Sequence, residues 1–177
     1  MALPSISGTL QSVAPVFVRK LRRRGDWGDE ADDLTTRAIN AVNKVFRTPP
    51  EPVISVYLVN CDEDLRRVAL GINAGRDSLT EPVPFVAFPV AELYAVGIEI
   101  RETLGILPCA FANRLHRDLV ATDEQLEKMC EAAMRNGRMV GNCSSGMMKE
   151  AREEALKEKC RTASKDDVCR VLSCCTT

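Results

Sequence analysis

Between Asp33 and Phe46 the apolar positions Leu34, Ala38, Ala41, Val42 and Val45 fall at intervals of three and four, which puts them on one side of a helix. The acidic residues before Leu34 suit the positive end of that helix, and Pro49-Pro50 forbids continuation much past Arg47. The period then changes. Val53 to Val59 is rich in β-branched and aromatic side chains, with Ile54, Val56 and Leu58 on one face and Val53, Tyr57 and Val59 on the other. Two mainly apolar faces predict a strand in the interior of its sheet.

The acidic knot Asp62-Glu63-Asp64 follows. Asn60 is a good N-cap, and Glu63, three residues on, completes an Asn form of the capping-box spacing. Asp62 and Asp64 then sit where the helix dipole favours carboxylates, and Leu65, Val68, Ala69 and Ile72 continue at helical spacing to a stop at Gly75. The competing reading takes Asp62 and Asp64, with the Arg76-Asp77 loop, as a ligand or metal site at the carboxyl end of a central strand. The chain contains neither G-x-G-x-x-G nor a P-loop, so capping is the favoured account.

Pro82 to Val90 predicts a second strand, confined by Pro84 to an edge or a bulge. Pro89 opens a short helix bearing Leu93, Tyr94 and Val96, and the alternation from Gly97 to Glu102 predicts a half-exposed third strand. Beyond Pro108 the spacing predicts a helix carrying Phe111, Leu115 and Leu119 with His116 among them. The capping box Thr122 to Gln125 introduces another, with Leu126, Met129, Cys130 and Ala133 inward and Gly137 at its end. A glycine-bearing linker from Arg138 to Gly146, a charged helix from Met147 to Arg161 and a short final helix capped by Ser164 complete the series.

Strand, helix, strand, helix, strand implies an α/β or α+β fold: a small mixed sheet of about three strands, some of them parallel, with flanking helices and a helical C-terminal region. The expected divisions are an N-terminal arm over residues 1–30, an α/β core over 31–137 and a helical, cysteine-bearing extension over 138–177.

Charge alters this picture at one place. Residues 1–25 contain no acidic residue and end in Arg19, Lys20, Arg22, Arg23 and Arg24, after which Asp26, Asp29, Glu30, Asp32 and Asp33 reverse the sign. With Trp27 between the blocks, Arg22, Arg23, Arg24 and Trp27 form a candidate nucleic-acid patch with a stacking ring. Opposite charge within a Debye length of about 8–10 Å weakens such a patch, so self-pairing is favoured and nucleic acid is not the expected partner. The same acid-free start also fits an organelle-targeting segment, as an alternative to an arm packed on the domain.

The whole chain, 177 residues at net charge -1 with 45% hydrophobic and 28% charged residues, has the composition of an ordinary globular protein. No apolar run approaches the roughly 20 residues that cross a bilayer. Eight cysteines without a C-x-x-C pair, beside one histidine, give little basis for zinc, and reduced cytoplasmic thiols are the expected state. Cys109 and His116, seven apart, would lie about 10 Å apart along a shared helix, too far for proton transfer.

No catalytic residues, metal or cofactor are therefore expected. The composition and pattern favour a non-catalytic protein-interaction or adaptor domain that docks a protein partner or a second copy. A ligand-binding or enzymatic domain using Asp62 and Asp64, and a weak nucleic-acid binder using the basic block, are the alternatives.

Overall fold

The computed structural model describes residues 15–22, 24–27, 32–47, 53–73, 81–106, 110–135 and 140–159. In chain order these form β1 (Val16–Lys20), a 3-10 turn (Arg24–Trp27), α1 (Leu34–Ala41) continuing into a π turn (Val42–Phe46), β2 (Val53–Val59) and α2 (Asp62–Asn73). There follow β3 (Val83–Pro89), α3 (Val90–Ala95), β4 (Glu99–Glu102), α4 (Ala110–Leu115), β5 (His116–Val120), α5 (Asp123–Arg135), β6 (Val140–Cys143) and α6 (Ser145–Lys159).

The strands make one six-stranded sheet in the order β4-β5-β2-β1-β3-β6, and each neighbouring pair is antiparallel. About three strands was an undercount, and no described pair is parallel. The reason is visible in the connections. Val18 pairs with Tyr57 and Glu102 with Arg117, so α1 lies within the return from β1 to β2, and α4 within the return from β4 to β5. A helix between two strands reads the same in sequence whether it crosses the sheet or fills out a hairpin.

Side-chain alternation divides the sheet between two cores. Val16 and Val18 of β1, with Phe85 and Ala87 of β3, face α2, α4 and α6. Phe17, Phe88, Ile54 and Val56 face α1, α5 and the short helix α3. The interior position expected for β2 is observed, between β1 and β5. The α5 capping box is present as well: Thr122 N–H donates to Gln125 Oε1 at 2.9 Å and Gln125 N–H to Thr122 Oγ1 at 3.3 Å.

Other expectations are corrected. β3 is not an edge strand, because it lies between β1 and β6. Pro84 is tolerated there since its carbonyl accepts from Leu21 N–H at 2.9 Å, at the point where β1 runs out. The missing proline N–H therefore costs only a bond at the end of that ladder. The helix expected through Leu119 stops at Leu115, and His116 begins β5. The segment read as a linker from Arg138 contains β6, and the charged helix after it buries Met148 and Ala151 against the first core. The final helix expected after Ser164 lies outside the described residues.

Arg19 fills the gap where β1 and β2 part. Its guanidinium donates to Ser55 O at 2.6 Å and Val45 O at 2.7 Å and lies over the Phe46 ring. Burial lowers its pKa to about 10, against a smaller opposing effect from Tyr57. Among the described residues no helix is long and apolar enough to cross a membrane.

Candidate interaction site

The acidic knot resolves into separate roles. Leu65 N–H donates to Cys61 O at 3.2 Å, so α2 begins at Asp62 rather than directly after Asn60. The capping carboxylate is then Asp64, whose Oδ2 accepts from Asn60 N–H at 3.0 Å and from its side-chain amide at 3.3 Å. Glu63 pairs instead with Arg67 one turn on. The charges of Asp62 and Arg66 both act on the Cys143 thiol. That thiol is pushed up to about 12, chiefly by burial, with Arg66 opposing and Asp62 adding to the rise. Asp62 and Asp64 thus serve different neighbours, and Arg76 and Asp77 lie outside the described residues.

Of the nucleic-acid candidates, two fall among the described side chains. Arg22 is exposed beyond the end of β1, Arg23 and the Arg24 side chain lie outside the described residues, and Trp27 is buried. The indole packs edge-on against Phe88 with 5.5 Å between ring centroids, making it a core side chain. Among the described residues no group of three or more His, Cys, Asp or Glu side chains gathers as metal ligands.

A different surface stands out at the far end of the sheet. β4 closes the strand order with one side unpaired by any described strand, and the chain leaves it through Thr103, Leu104, Gly105 and Ile106. This segment is tied down at two points, and the strand end before it at a third. Thr103 Oγ1 is 2.9 Å from His116 Nδ1, Gly105 N–H donates to Asn113 O at 3.1 Å, and Arg117 bridges Glu102 at 3.0 Å to the carbonyls of Arg114 and His116. Gly105 lies so close to α4 that a Cβ would stand 2.7 Å from Asn113 Oδ1 and 3.2 Å from Asn113 Cα. Yet Leu104 is 79% exposed and Ile106 99% exposed.

Similarity to known proteins adds nothing to this geometry. Family models, curated proteins and solved structures were all searched, and none matches the chain.

The buried His116 brings a hydroxyl and a carboxylate near one imidazole, the ingredients of nucleophilic catalysis. Its Nε2 is 3.7 Å from Asp118 Oδ1, beyond hydrogen-bond range, and its remaining ring neighbour is Tyr57, edge-on at 5.5 Å. Among the described residues, the imidazole's one short polar contact is with Thr103. Its structural effect is to fix the segment carrying Leu104 and Ile106. Sequence reading overlooked this segment because Leu104-Gly105-Ile106 has the look of a strand end. No alternation marks β5 either, because His116-Arg117-Asp118-Leu119-Val120 runs from polar to apolar without a period of two.

Proposed function

We propose that this chain is a non-catalytic protein-interaction domain, and that its contact surface is the open edge at β4 together with residues 103–106. The observation that carries the reading is Ile106, 99% exposed and directly following a backbone held by the Thr103 side chain and the Gly105 main chain. Exposed aliphatic groups on a loose tip cost a partner ordering entropy; here that ordering is already in the fold. Burying a Leu or Ile side chain fully is worth about 1.5–3 kcal/mol, so the two supply a hydrophobic anchor of the size found at contact centres. An unpaired strand edge beside them offers main-chain hydrogen bonds to the same partner.

The test is the double variant Leu104→Ser/Ile106→Ser, followed by native mass spectrometry of the full chain from its own source. Parent protein is expected to carry a protein partner or a second copy, and the double variant to lose it while keeping the parent's far-ultraviolet circular dichroism, the sign of an intact fold. A parent that is partnerless at every concentration, or an association the variant retains in full, would defeat the reading.

A further inference from the structure

We propose that the partner is a second copy of this chain, joined β4 to β4 about a two-fold axis centred on Ile100, so that one antiparallel sheet runs through both copies. This identifies the occupant of the interaction surface proposed above and rests on that reading.

The charge order along β4 carries the inference. Glu99 and Arg101 project from the same face of the strand, where Arg101 Nε donates to Glu99 Oε1 at 2.8 Å within one copy, and their side chains are 58% and 55% exposed. A two-fold axis perpendicular to the sheet keeps each layer of helices on its own side, so every residue must face one from the same side of the strand. Centring the axis on Glu99 opposes two carboxylates, and centring it on Arg101 opposes two guanidinium groups. Centring it on Ile100 sets each Glu99 against Arg101 of the other copy, twice, with the two Ile100 side chains adjoining on the opposite face. Edge strands usually resist pairing by carrying charge. Here the alternation of sign forbids two registers and favours one, which makes it a device for register rather than for exclusion.

The exposed apolar residues supply the second, independent observation. Among the described residues the exposed large hydrophobics are Ile39, Tyr94, Leu104 and Ile106, and three of these flank β4. Tyr94, 65% exposed, precedes the strand; Leu104 and Ile106 follow it. An antiparallel two-fold lays the end of one β4 alongside the beginning of the other. It therefore carries Leu104 and Ile106 of one copy toward Tyr94 and the half-buried Val96 of the second copy, and the reverse, closing both ends of the junction with apolar surface.

Charge exchange tests this directly on the full chain, with mass read by light scattering or sedimentation over a concentration series. Glu99→Arg and Arg101→Glu are each expected to weaken self-association at least about tenfold, because each opposes like charges across the axis. The double exchange Glu99→Arg/Arg101→Glu restores opposed pairs and should recover the parent mass. Mixing the two single variants should give a heterodimer stronger than either variant alone, which an intramolecular role for the Arg101–Glu99 contact would not produce. A parent that stays monomeric to several hundred micromolar overturns the self-pairing, and loss of another protein partner in Leu104→Ser/Ile106→Ser would then leave the interaction reading standing. A dimer insensitive to every charge exchange but abolished by Leu104→Ser/Ile106→Ser overturns the strand register alone. A dimer indifferent to both sets of changes overturns both proposals.

Discussion

Gly105 shows how one missing carbon shapes a surface. Nothing in its backbone angles sets it apart, since the described non-helical conformation that demands glycine is at Gly97, with φ of 74°. Its requirement is proximity: a Cβ would meet Asn113 Oδ1 at 2.7 Å, His116 Cβ at 3.1 Å and Asn113 Cα at 3.2 Å. The amide oxygen can swing away, but the Cα is part of α4 and cannot. Gly105→Ala is therefore expected to cost about 1–3 kcal/mol through overpacking. Leu104→Ser and Ile106→Ser, which give up no contact buried within one copy, should stay within about 0.5 kcal/mol of the parent at concentrations where the chain is monomeric. Urea midpoints of the three variants check this, and an alanine variant as stable as the parent would show that residues 103–106 are not held where they are described. This constraint was not legible in the sequence. Close approach between Gly105 and Asn113 depends on where β4 and β5 pair, and a solitary glycine between aliphatic residues carries no sign of it.

At the level of elements, local chemistry was legible and partners were not. The apolar spacing of α1, α2 and α5 matches their buried faces, because a helix buries whichever side its own sequence makes apolar. Capping shows where such reading fails by a residue: Asn60 and the acidic knot do begin α2, but Asp64 rather than Glu63 makes the bond, since the first turn closes on Cys61 O. β5 and β6 were missed because each is short and lies next to a helix, and a four- or five-residue strand is specified by its neighbour's free edge more than by its own pattern. The start of α1 offers a test with a definite sign. Asp33 caps it by accepting from Thr36 N–H at 3.0 Å and Thr36 Oγ1–H at 2.6 Å, and the Thr36 hydroxyl, followed by its amide, holds that carboxyl below its ordinary 3.8. A carboxyl with a lowered folded pKa contributes stability above its unfolded value and loses it as pH falls through the folded one. Asp33→Ala should accordingly melt below the parent at neutral pH, and the two melting temperatures should converge as the pH drops below the usual carboxylate range. A deficit that stays constant to the acid limit of folding would rule out the charged cap as its source.

For the whole molecule, the arrangement of the two cores decides how it comes apart. They lie on opposite faces of one sheet and share its central strands: Val18 belongs to the first, Phe17 to the second, and β3 divides Phe85 and Phe88 in the same way. Because both cores are built on the same paired strands β1 and β3, the described fold should unfold as one unit. Two probes native to the chain report the two sides separately. Trp27, the one tryptophan, is buried against Phe88 in the second core, and Cys143 is fully buried in the first. Burial also raises the Cys143 thiol to about 12, which lowers its thiolate fraction about a thousandfold relative to an ordinary cysteine and leaves the native side chain inert to alkylation. Cys130, buried in the second core with its thiol pushed up by burial, should be equally protected, whereas the exposed Cys61 should react without denaturant. In a guanidinium series, the change in Trp27 fluorescence and the labelling of Cys143, located by peptide mass, are expected to share a midpoint. Labelling of Cys143 while Trp27 is still in its native environment would mean that α2 and α6 leave the sheet independently, and that the chain is two stacked layers rather than one cooperative body.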